Sequence, residues 1–129
     1  MRLLLDTCTL IWLLDRPSKL SPTALKEAAE AKNELFISVI SIWEIGSKVN
    51  SGRLTLAIPL LQLSTEAKAK FGAIVLPFSE AAAGQSSTLP QHHKDPFDRM
   101  LVCQALQERV PILTPDPLIA RYPVETIWR

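Results

Sequence analysis

The sequence near the amino terminus reads Arg2-Leu3-Leu4-Leu5-Asp6, a short apolar run that ends at an acid. An apolar run of this length without polar alternation predicts a strand that is buried on both faces, as in a parallel sheet. A carboxylate beside such a core is expensive to bury without a partner, so Asp6 calls for an explanation. This stretch therefore predicts the type of sheet and supplies the first candidate site residue.

Working outward from this strand, apolar runs alternate with helix-like segments along the chain. Further strands are predicted at Leu35–Val39, Ile74–Leu76, Pro111–Thr114 and Val124–Ile127. The predicted helices are Thr9–Leu14, Ser21 to about Ala31, Ser41 to near Gly52, Pro59–Phe71, Ser79–Gln85 and Asp95 to about Glu108. The alternation predicts an α/β fold with a mostly parallel sheet and helices on both faces, within one domain spanning 1–129.

Several residues mark the ends of these helices. Ser21 before Pro22, and Ser79, are typical N-caps, and Gly72 is a typical C-terminal stop. Ser41 with Glu44 matches a capping box, in which a hydroxyl and a carboxylate three residues apart satisfy backbone amides. Asp95 precedes a proline, which indicates an N-cap there as well.

The overall composition is that of an ordinary globular protein. Of the 129 residues, 47% are hydrophobic and 21% are charged, and the formal net charge is +1. No strong global field therefore draws the protein to nucleic acid, and any such binding needs a local patch. Candidate phosphate contacts are Lys48, Arg53, Lys94 and Arg99.

The two cysteines and the apolar amino terminus bear on the cellular compartment. Cys8 and Cys103 both lie in apolar runs, so they are expected to be reduced, buried thiols of a cytosolic protein. The run Leu3–Leu14 is interrupted by Asp6 and is too short and too acidic to span a membrane. We therefore expect a cytoplasmic protein with no secretory leader and no membrane contact.

Four acids stand just after a predicted strand or in the first turn of a helix: Asp6, Glu44, Asp98 and Asp116. In doubly wound sheets the binding crevice lies at the carboxyl ends of the strands, so all four could meet there. Local explanations stay open for three of them. Glu44 would complete the capping box. Asp98 would be stabilised by the positive end of the helix dipole, and Asp116 would be an N-cap before Pro117.

Converging carboxylates raise one another's pKa unless a cation neutralises them. Oxygen-only ligands select hard cations, chiefly Mg²⁺ or Mn²⁺. Such ions suit phosphodiester hydrolysis, because they activate water, hold the phosphate and stabilise the leaving oxygen. The acids therefore predict a metal-dependent hydrolase of phosphate esters.

Four segments together resemble the ordered motifs of PIN domains. They are Leu4-Leu5-Asp6-Thr7, Ser38-Val39-Ile40-Ser41-Ile42-Trp43-Glu44-Ile45, His93-Lys94-Asp95-Pro96-Phe97-Asp98-Arg99-Met100-Leu101 and Leu113-Thr114-Pro115-Asp116. Any one motif is weak evidence, but the order and spacing hold over essentially the whole chain. The Asp-Pro-Phe-Asp-Arg run resembles the VapC-type toxins of toxin–antitoxin pairs. The fold that this implies is a three-layer α/β/α sandwich.

The resemblance implies a Mg²⁺- or Mn²⁺-dependent endoribonuclease that hydrolyses RNA. Asp6, Glu44 and Asp98 would be the core metal-binding acids, and Asp116 would be the fourth acid of the same metal-binding and catalytic set. Asp98 is preferred to Asp95 because it directly precedes the apolar run of its helix. Thr114 and Arg99 would bind substrate, Arg99 at a phosphate. The expected partners are a cognate antitoxin and a second copy of the chain in a homodimer.

Two other functions deserve testing against this one. Phosphatases of the haloacid dehalogenase type also begin with a strand and an aspartate, but their second aspartate is replaced here by Cys8. A non-catalytic α/β interaction module is the other alternative. His92 and His93 lack a cysteine cluster with zinc spacing, so they are expected in a loop or at the substrate's edge.

Overall fold

The computed structural model describes residues 1–92 and 94–129 and contains a five-stranded sheet. Its strands are β1 (Arg2–Leu5), β2 (Glu34–Ser38), β3 (Ile74–Leu76), β4 (Ile112–Leu113) and β5 (Thr126–Ile127). The strand order is β3-β2-β1-β4-β5, and every neighbouring pair is parallel. The predicted α/β class is confirmed, with a sheet that is parallel throughout the described residues.

In the part of the chain that the structure describes, six α-helices lie between the strands in pairs, two after each of β1, β2 and β3, whereas only a 3-10 helix separates β4 from β5. They are α1 (Thr7–Asp15), α2 (Pro22–Ala29), α3 (Val39–Asn50), α4 (Leu60–Phe71), α5 (Glu80–Gln85) and α6 (Pro96–Glu108). None of these helices is long and apolar enough to cross a membrane.

The helices cover both faces of the sheet and enclose two separate cores. Leu3 and Leu5 of β1 point to one core, which α1, α2, α3 and α4 complete. Leu4 points to the other core, with α5 and α6. This alternation follows from the two-residue period of a strand, and it explains why β1 is apolar at each of these three positions. The predicted three-layer sandwich is confirmed.

Most of the predicted helix ends are confirmed. The hydroxyls of Ser21 and Ser79 accept from the amides of Ala24 and Ala82, each at 3.0 Å. Gly72 ends α4 with a φ of 64°, a conformation that glycine adopts without a side-chain penalty.

Two helix starts differ from the prediction. The capping box at Ser41 and Glu44 is wrong, because α3 begins at Val39 and its N-cap is Ser38, which accepts from the amide of Ile40 at 3.0 Å. Strand β2 ends at Ser38, so the hydroxyl at the strand end takes the cap. Helix α1 begins at Thr7, two residues before the predicted start, because the carboxylate of Asp6 is its N-cap.

The sheet has one crevice that the topology favours. β1 lies at the centre, and the chain departs to β2 on one side and returns to β4 on the other. In open parallel sheets, ligands bind at such a switch point, outside the carboxyl ends of the strands. Helix α3 begins directly after β2, and α6 leads back into the start of β4, so the amino-terminal ends of both helices lie at this edge of the sheet; the two helices also contact each other.

Candidate metal centre

All four predicted acids line one pocket of about 450 Å³. A fifth acid, Asp95, lines it too, and the remaining polar or charged lining residues are Thr7, Cys8, Lys48 and Arg53. Acids that lie far apart in the sequence meet because the carboxyl ends of β1, β2 and β4 share one edge of the sheet. The structure therefore brings the predicted set together; that these acids bind metal stays a prediction.

Asp6 lies at the base of this pocket and is only 4% exposed. Its Oδ1 accepts from the amide of Thr9 at 2.8 Å and from the thiol of Cys8 at 3.3 Å, and its Oδ2 accepts from the hydroxyl of Thr114. Burial raises the pKa of Asp6, although these hydrogen bonds act in the opposite direction. The pocket thus contains a carboxylate that is held firmly but is unfavourable to ionise without a nearby cation.

Glu44 is also buried, with 3% of its surface exposed. Its Oε1 accepts from the hydroxyl of Thr7 at 2.7 Å, and its Oε2 pairs with the ammonium of Lys48 at 2.5 Å. The Thr7 hydroxyl also lies 3.0 Å from that of Ser41. These contacts fix the side chain of Glu44 in the middle of α3, facing the pocket and not the helix end.

Asp98 occupies the first turn of α6, and burial is the largest cause that raises its pKa to about 7. The charges of neighbouring acids add to this shift, in the order Asp95, Glu44, Asp116 and Asp6. Asp95 is confirmed as the N-cap, since its Oδ1 accepts from the amides of Phe97 and Asp98 at 2.9 and 3.4 Å. The two aspartates of this segment therefore differ in their surroundings: one caps the helix, and the other is exposed to the field of the acid cluster.

Thr114 and Asp116 follow β4 and connect it to the pocket. The Thr114 hydroxyl donates to Asp6 and accepts from the amide of Asp116 at 3.1 Å. Asp116 in turn accepts from the amide of Leu118 at 2.8 Å, but it is not the helix N-cap that was left open for it, because the short 3-10 helix that follows (Ile119–Arg121) has Leu118 at that position. Thr114 thus orients two acids; its predicted contact with substrate stays a prediction.

The candidate phosphate-binding cations divide between two pockets. Lys48 and Arg53 line the acid pocket, whereas Lys94 and Arg99 line a separate pocket between α5 and α6. The Arg99 guanidinium donates to the carbonyls of Pro90 and Leu89 and to the Tyr122 hydroxyl, at 2.7, 3.5 and 3.2 Å. Arg99 therefore holds the segment before α6, and its contact with substrate stays a prediction.

The two histidines directly precede Lys94, a lining residue of this second pocket, in the sequence. The His92 ring packs edge-on against Tyr122, with 4.7 Å between ring centroids. His93 lies outside the described residues.

Two residues of the pocket had no role in the sequence prediction. Thr7 donates to Glu44, and Cys8 donates to Asp6. The prediction that Cys8 is buried is wrong: it is half-buried and lines the pocket, whereas Cys103 is buried as expected. Burial and the charge of Asp6 raise the pKa of the Cys8 thiol. The sequence contained a signal for both residues. Thr7 and Cys8 are in the first turn of the helix that Asp6 caps, and this turn lies next to the capping acid.

The chemistry of this donor set fits a hard divalent cation. Five carboxylates face only two side-chain cations in the lining, and the pKa values of Asp6 and Asp98 are raised as expected for acids without a sufficient counter-charge. In residues 1–92 and 94–129, no three acid, histidine or cysteine side chains are arranged as a coordination shell. The five acids of the pocket thus fit a divalent cation in their charge and ligand type, and not yet in the arrangement of their side chains.

Comparisons with known proteins bear on the fold and the family of this chain. No curated protein matches the chain in sequence. The chain is similar in structure to VapBC2 from Rickettsia felis, solved bound to a DNA fragment from their promoter, with a TM-score of 0.72, 17% identity and 100% of both chains covered. It is also similar to FitAcB from Neisseria gonorrhoeae, with a TM-score of 0.64, 17% identity and 97% of this chain and 96% of that chain covered.

A domain of a functionally unknown protein from Methanocaldococcus jannaschii has the same fold, with a TM-score of 0.58 and 17% identity over 99% of this chain and 90% of that chain. At this level of identity the three likenesses establish the fold alone. The sequence provides the family, because the PIN domain matches residues 3–125. The chain therefore belongs to the PIN domain family, a family of nucleases.

Proposed function

We propose that this protein is a Mg²⁺- or Mn²⁺-dependent endoribonuclease that hydrolyses phosphodiester bonds of RNA. The observation that carries the proposal is the pocket in which Asp6, Glu44, Asp98 and Asp116 meet at the carboxyl end of a parallel sheet. A nuclease site built from acids needs a cation, since phosphate is repelled by a negative site that lacks one.

Each part of the pocket has a distinct task in this proposal. Asp6, Glu44 and Asp98 would hold the cation as its core ligands, and Asp116 would complete the set as a further ligand or orient the attacking water. When bound, the divalent cation supplies Lewis acidity at the phosphate and a lowered pKa for water. Thr114 and Thr7 hold the carboxylates of Asp6 and Glu44 through hydrogen bonds, which preserves their orientation as charge develops.

Single-stranded or looped RNA is the expected substrate class. The crevice lies at one edge of a sheet, and a flexible backbone can bend into it more easily than a duplex. Because the formal net charge is only +1, binding depends on the cation and on a few basic side chains at the rim. The salt dependence of RNA binding should therefore be shallow.

A toxin role within a VapBC-type pair follows from the motif resemblance, and the similar structures support it, because they include toxin–antitoxin complexes. The expected partners are a cognate antitoxin and a second copy of the chain. Exposed apolar side chains on α3 and α4 support a protein partner: Trp43 is 72% exposed and Leu61 is 77% exposed. The expected location is the cytoplasm, where two free thiols such as Cys8 and Cys103 stay reduced.

The experiment that tests this function uses purified protein freed of any antitoxin, structured RNA and Mn²⁺ or Mg²⁺. We expect endonucleolytic cleavage that EDTA abolishes and that Asp6→Asn eliminates. Asparagine is a good N-cap, so this variant should keep α1 folded while it loses the charge. Asp15→Asn, on the same helix but outside the pocket, is the matched control and should cleave normally.

The same preparation distinguishes the two alternatives. Phosphate release from a small phosphomonoester, without RNA cleavage, would favour the phosphatase. No Mn²⁺ binding at all would favour the non-catalytic interaction module. RNA cleavage that persists in excess EDTA, or in Asp6→Asn, would contradict the proposed mechanism.

A further inference from the structure

Lys48 and Glu44 form an ion pair inside the acid pocket. They are four residues apart on α3, and their side chains are 36% and 4% exposed. The Lys48 ammonium contacts Oε2 of Glu44, while Thr7 donates to Oε1. Both oxygens of a buried candidate ligand are therefore engaged by the chain itself, one of them by a full positive charge.

This ion pair differs from an ordinary surface pair on a helix. An exposed pair is worth little, because water solvates both partners. Glu44 has lost that solvation, and Lys48 compensates for it by supplying the counter-charge in the pocket. A divalent cation bound at Glu44 would itself supply the counter-charge for this carboxylate and would repel the ammonium of Lys48. The two cations therefore compete for one carboxylate.

We propose that Lys48 is a counterion that the divalent cation displaces, and that the released ammonium then binds a phosphate of the RNA backbone. This inference rests on the proposed function for its ligand, a phosphodiester next to the one that is cleaved. Lysine suits the exchange, because its charge sits at the end of a flexible four-carbon stem and rotates freely among acceptors.

The position of Lys48 favours phosphate as its second partner. Its side chain is partly exposed and lines the same pocket as Arg53, so two cations lie at one rim of the acid cluster. The Arg53 guanidinium donates to the hydroxyl of Ser51 at 2.9 Å, which holds it at the carboxyl end of α3. A strand of RNA whose scissile phosphate reaches the acids would pass this rim.

The first measurement is the affinity for Mn²⁺, without RNA, by calorimetric titration. Lys48→Met should bind Mn²⁺ roughly fivefold more tightly than the unaltered protein, because it removes a competing charge. The matched control is Lys70→Met, which removes the same charge from another i,i+4 pair, Lys70 with Glu66 on α4, 3.6 Å apart. Lys70→Met should leave the affinity unchanged. Equal affinities in both variants would overturn the inference.

The second measurement tests where the ammonium goes. Binding of a single-stranded RNA oligonucleotide is followed against salt concentration in EDTA and in Ca²⁺, with a gel to verify that the RNA is intact. In Ca²⁺ the salt slope of Lys48→Met should be smaller in magnitude than that of Lys70→Met by about 0.7, the contribution of one phosphate contact. In EDTA the two slopes should agree. Slopes that agree in both conditions would show that Lys48 remains paired with Glu44.

Two further variants keep the test decisive. Lys48→Gln removes the charge but can still donate to Glu44, so it replaces Lys48→Met if that variant does not fold. Lys48→Arg retains the charge and should retain the salt slope. If the unaltered protein cuts RNA but Lys48→Met behaves like Lys70→Met, this inference alone fails. If Lys48 variants shift Mn²⁺ affinity but no RNA is cut under any condition, the proposed function fails instead.

Discussion

Thr114 donates its hydroxyl hydrogen to Oδ2 of Asp6, so the residues that follow β4 and β1 are joined directly by their side chains. The two strands are neighbours in the sheet, with Leu5 paired to Leu113. This contact closes the crevice at its base and fixes the position of one candidate ligand relative to the fourth acid, whose amide donates to the same hydroxyl.

The first prediction concerns this contact. Thr114→Val should destabilise the protein by about 1–3 kcal/mol, because it leaves a buried carboxylate oxygen of Asp6 with only the weak thiol donor of Cys8, at 3.5 Å. It should also weaken Mn²⁺ binding, since loss of the hydrogen bond raises the pKa of Asp6 further and so favours the protonated form, which competes with metal binding. Urea unfolding and Mn²⁺ titration measure the two effects.

The control for that variant is the same substitution at another buried threonine. The Thr9 hydroxyl is buried and lowers the pKa of Asp6, but it makes no hydrogen bond of ordinary geometry among the residues that the structure describes. Thr9→Val should therefore cost less stability than Thr114→Val, by about 1 kcal/mol or more. Equal losses at Thr9 and Thr114 would contradict the role assigned to the Thr114 hydroxyl.

The second prediction is a pH dependence caused by Asp98. Because its pKa is raised to about 7 in the folded, metal-free protein, its contribution to stability is present below the unfolded-state pKa and is lost as the pH rises to 7. Asp98→Asn lacks this loss. In EDTA its Tm should match that of the unaltered protein at pH 4 and exceed it by a few degrees at pH 8, an effect reduced by the partial exposure of the carboxyl group.

The same variant should lose the stabilisation that metal provides. For the unaltered protein at pH 8, about 10 mM Mn²⁺ and a Kd of about 1 mM give about 1.4 kcal/mol. This gain should be smaller at pH 6, because Asp98 must release a proton before it can bind the metal. A Mn²⁺-dependent shift of Tm that persists in Asp98→Asn would show that Asp98 is not a ligand.

The third prediction separates the two aspartates of this segment. Asp95→Ala should cost about 1 kcal/mol of stability through loss of the N-cap of α6, while Asp95→Asn should cost little, because asparagine caps equally well. Both should retain Mn²⁺ binding and RNA cleavage. If Asp95→Asn abolishes cleavage and Asp98→Asn does not, the assignment of the ligand is wrong.

The fourth prediction concerns the exposed apolar side chain of Trp43 on α3. Trp43→Ser should reduce self-association in sedimentation velocity, because it removes a large apolar side chain that is 72% exposed. Its effect on the stability of the monomer should stay within about 0.5 kcal/mol. Leu25→Ser, at an exposed position of α2, is the control and should not alter association. A chain that is monomeric before and after the Trp43 change would contradict the expected homodimer.

The convergence of the acids could be predicted because it depends on a general property of parallel sheets. Once β1 and β4 are recognised as strands, Asp6 and Asp116 must approach the same edge. The prediction of the capping box was wrong because it used local sequence alone. Ser41 and Glu44 satisfy a local pattern, but the exact end of β2 decides which hydroxyl caps α3, and this depends on pairing with β1 and β3.

The contacts between side chains could not be predicted from the sequence, because they depend on which residues the fold buries. Lys48 and Glu44 have the spacing of a helical ion pair, yet only the burial of Glu44 distinguishes this pair from Lys70 with Glu66. Cys8 was expected to be buried because its neighbours are apolar, but one side of α1 opens onto the pocket. Arg99 follows the acid motif directly, and its guanidinium nevertheless turns to the carbonyls of Leu89 and Pro90.

The alternation of leucines in β1 has a consequence for how this chain can vary. Leu3 and Leu5 belong to one core and Leu4 to the other, and the strand ends at Asp6. Insertion or deletion of a single residue within the strand would exchange the two faces and move the carboxylate out of register with Thr114. We therefore expect β1 to accept the exchange of one aliphatic residue for another, but not a change in the number of residues between the start of the strand and Asp6.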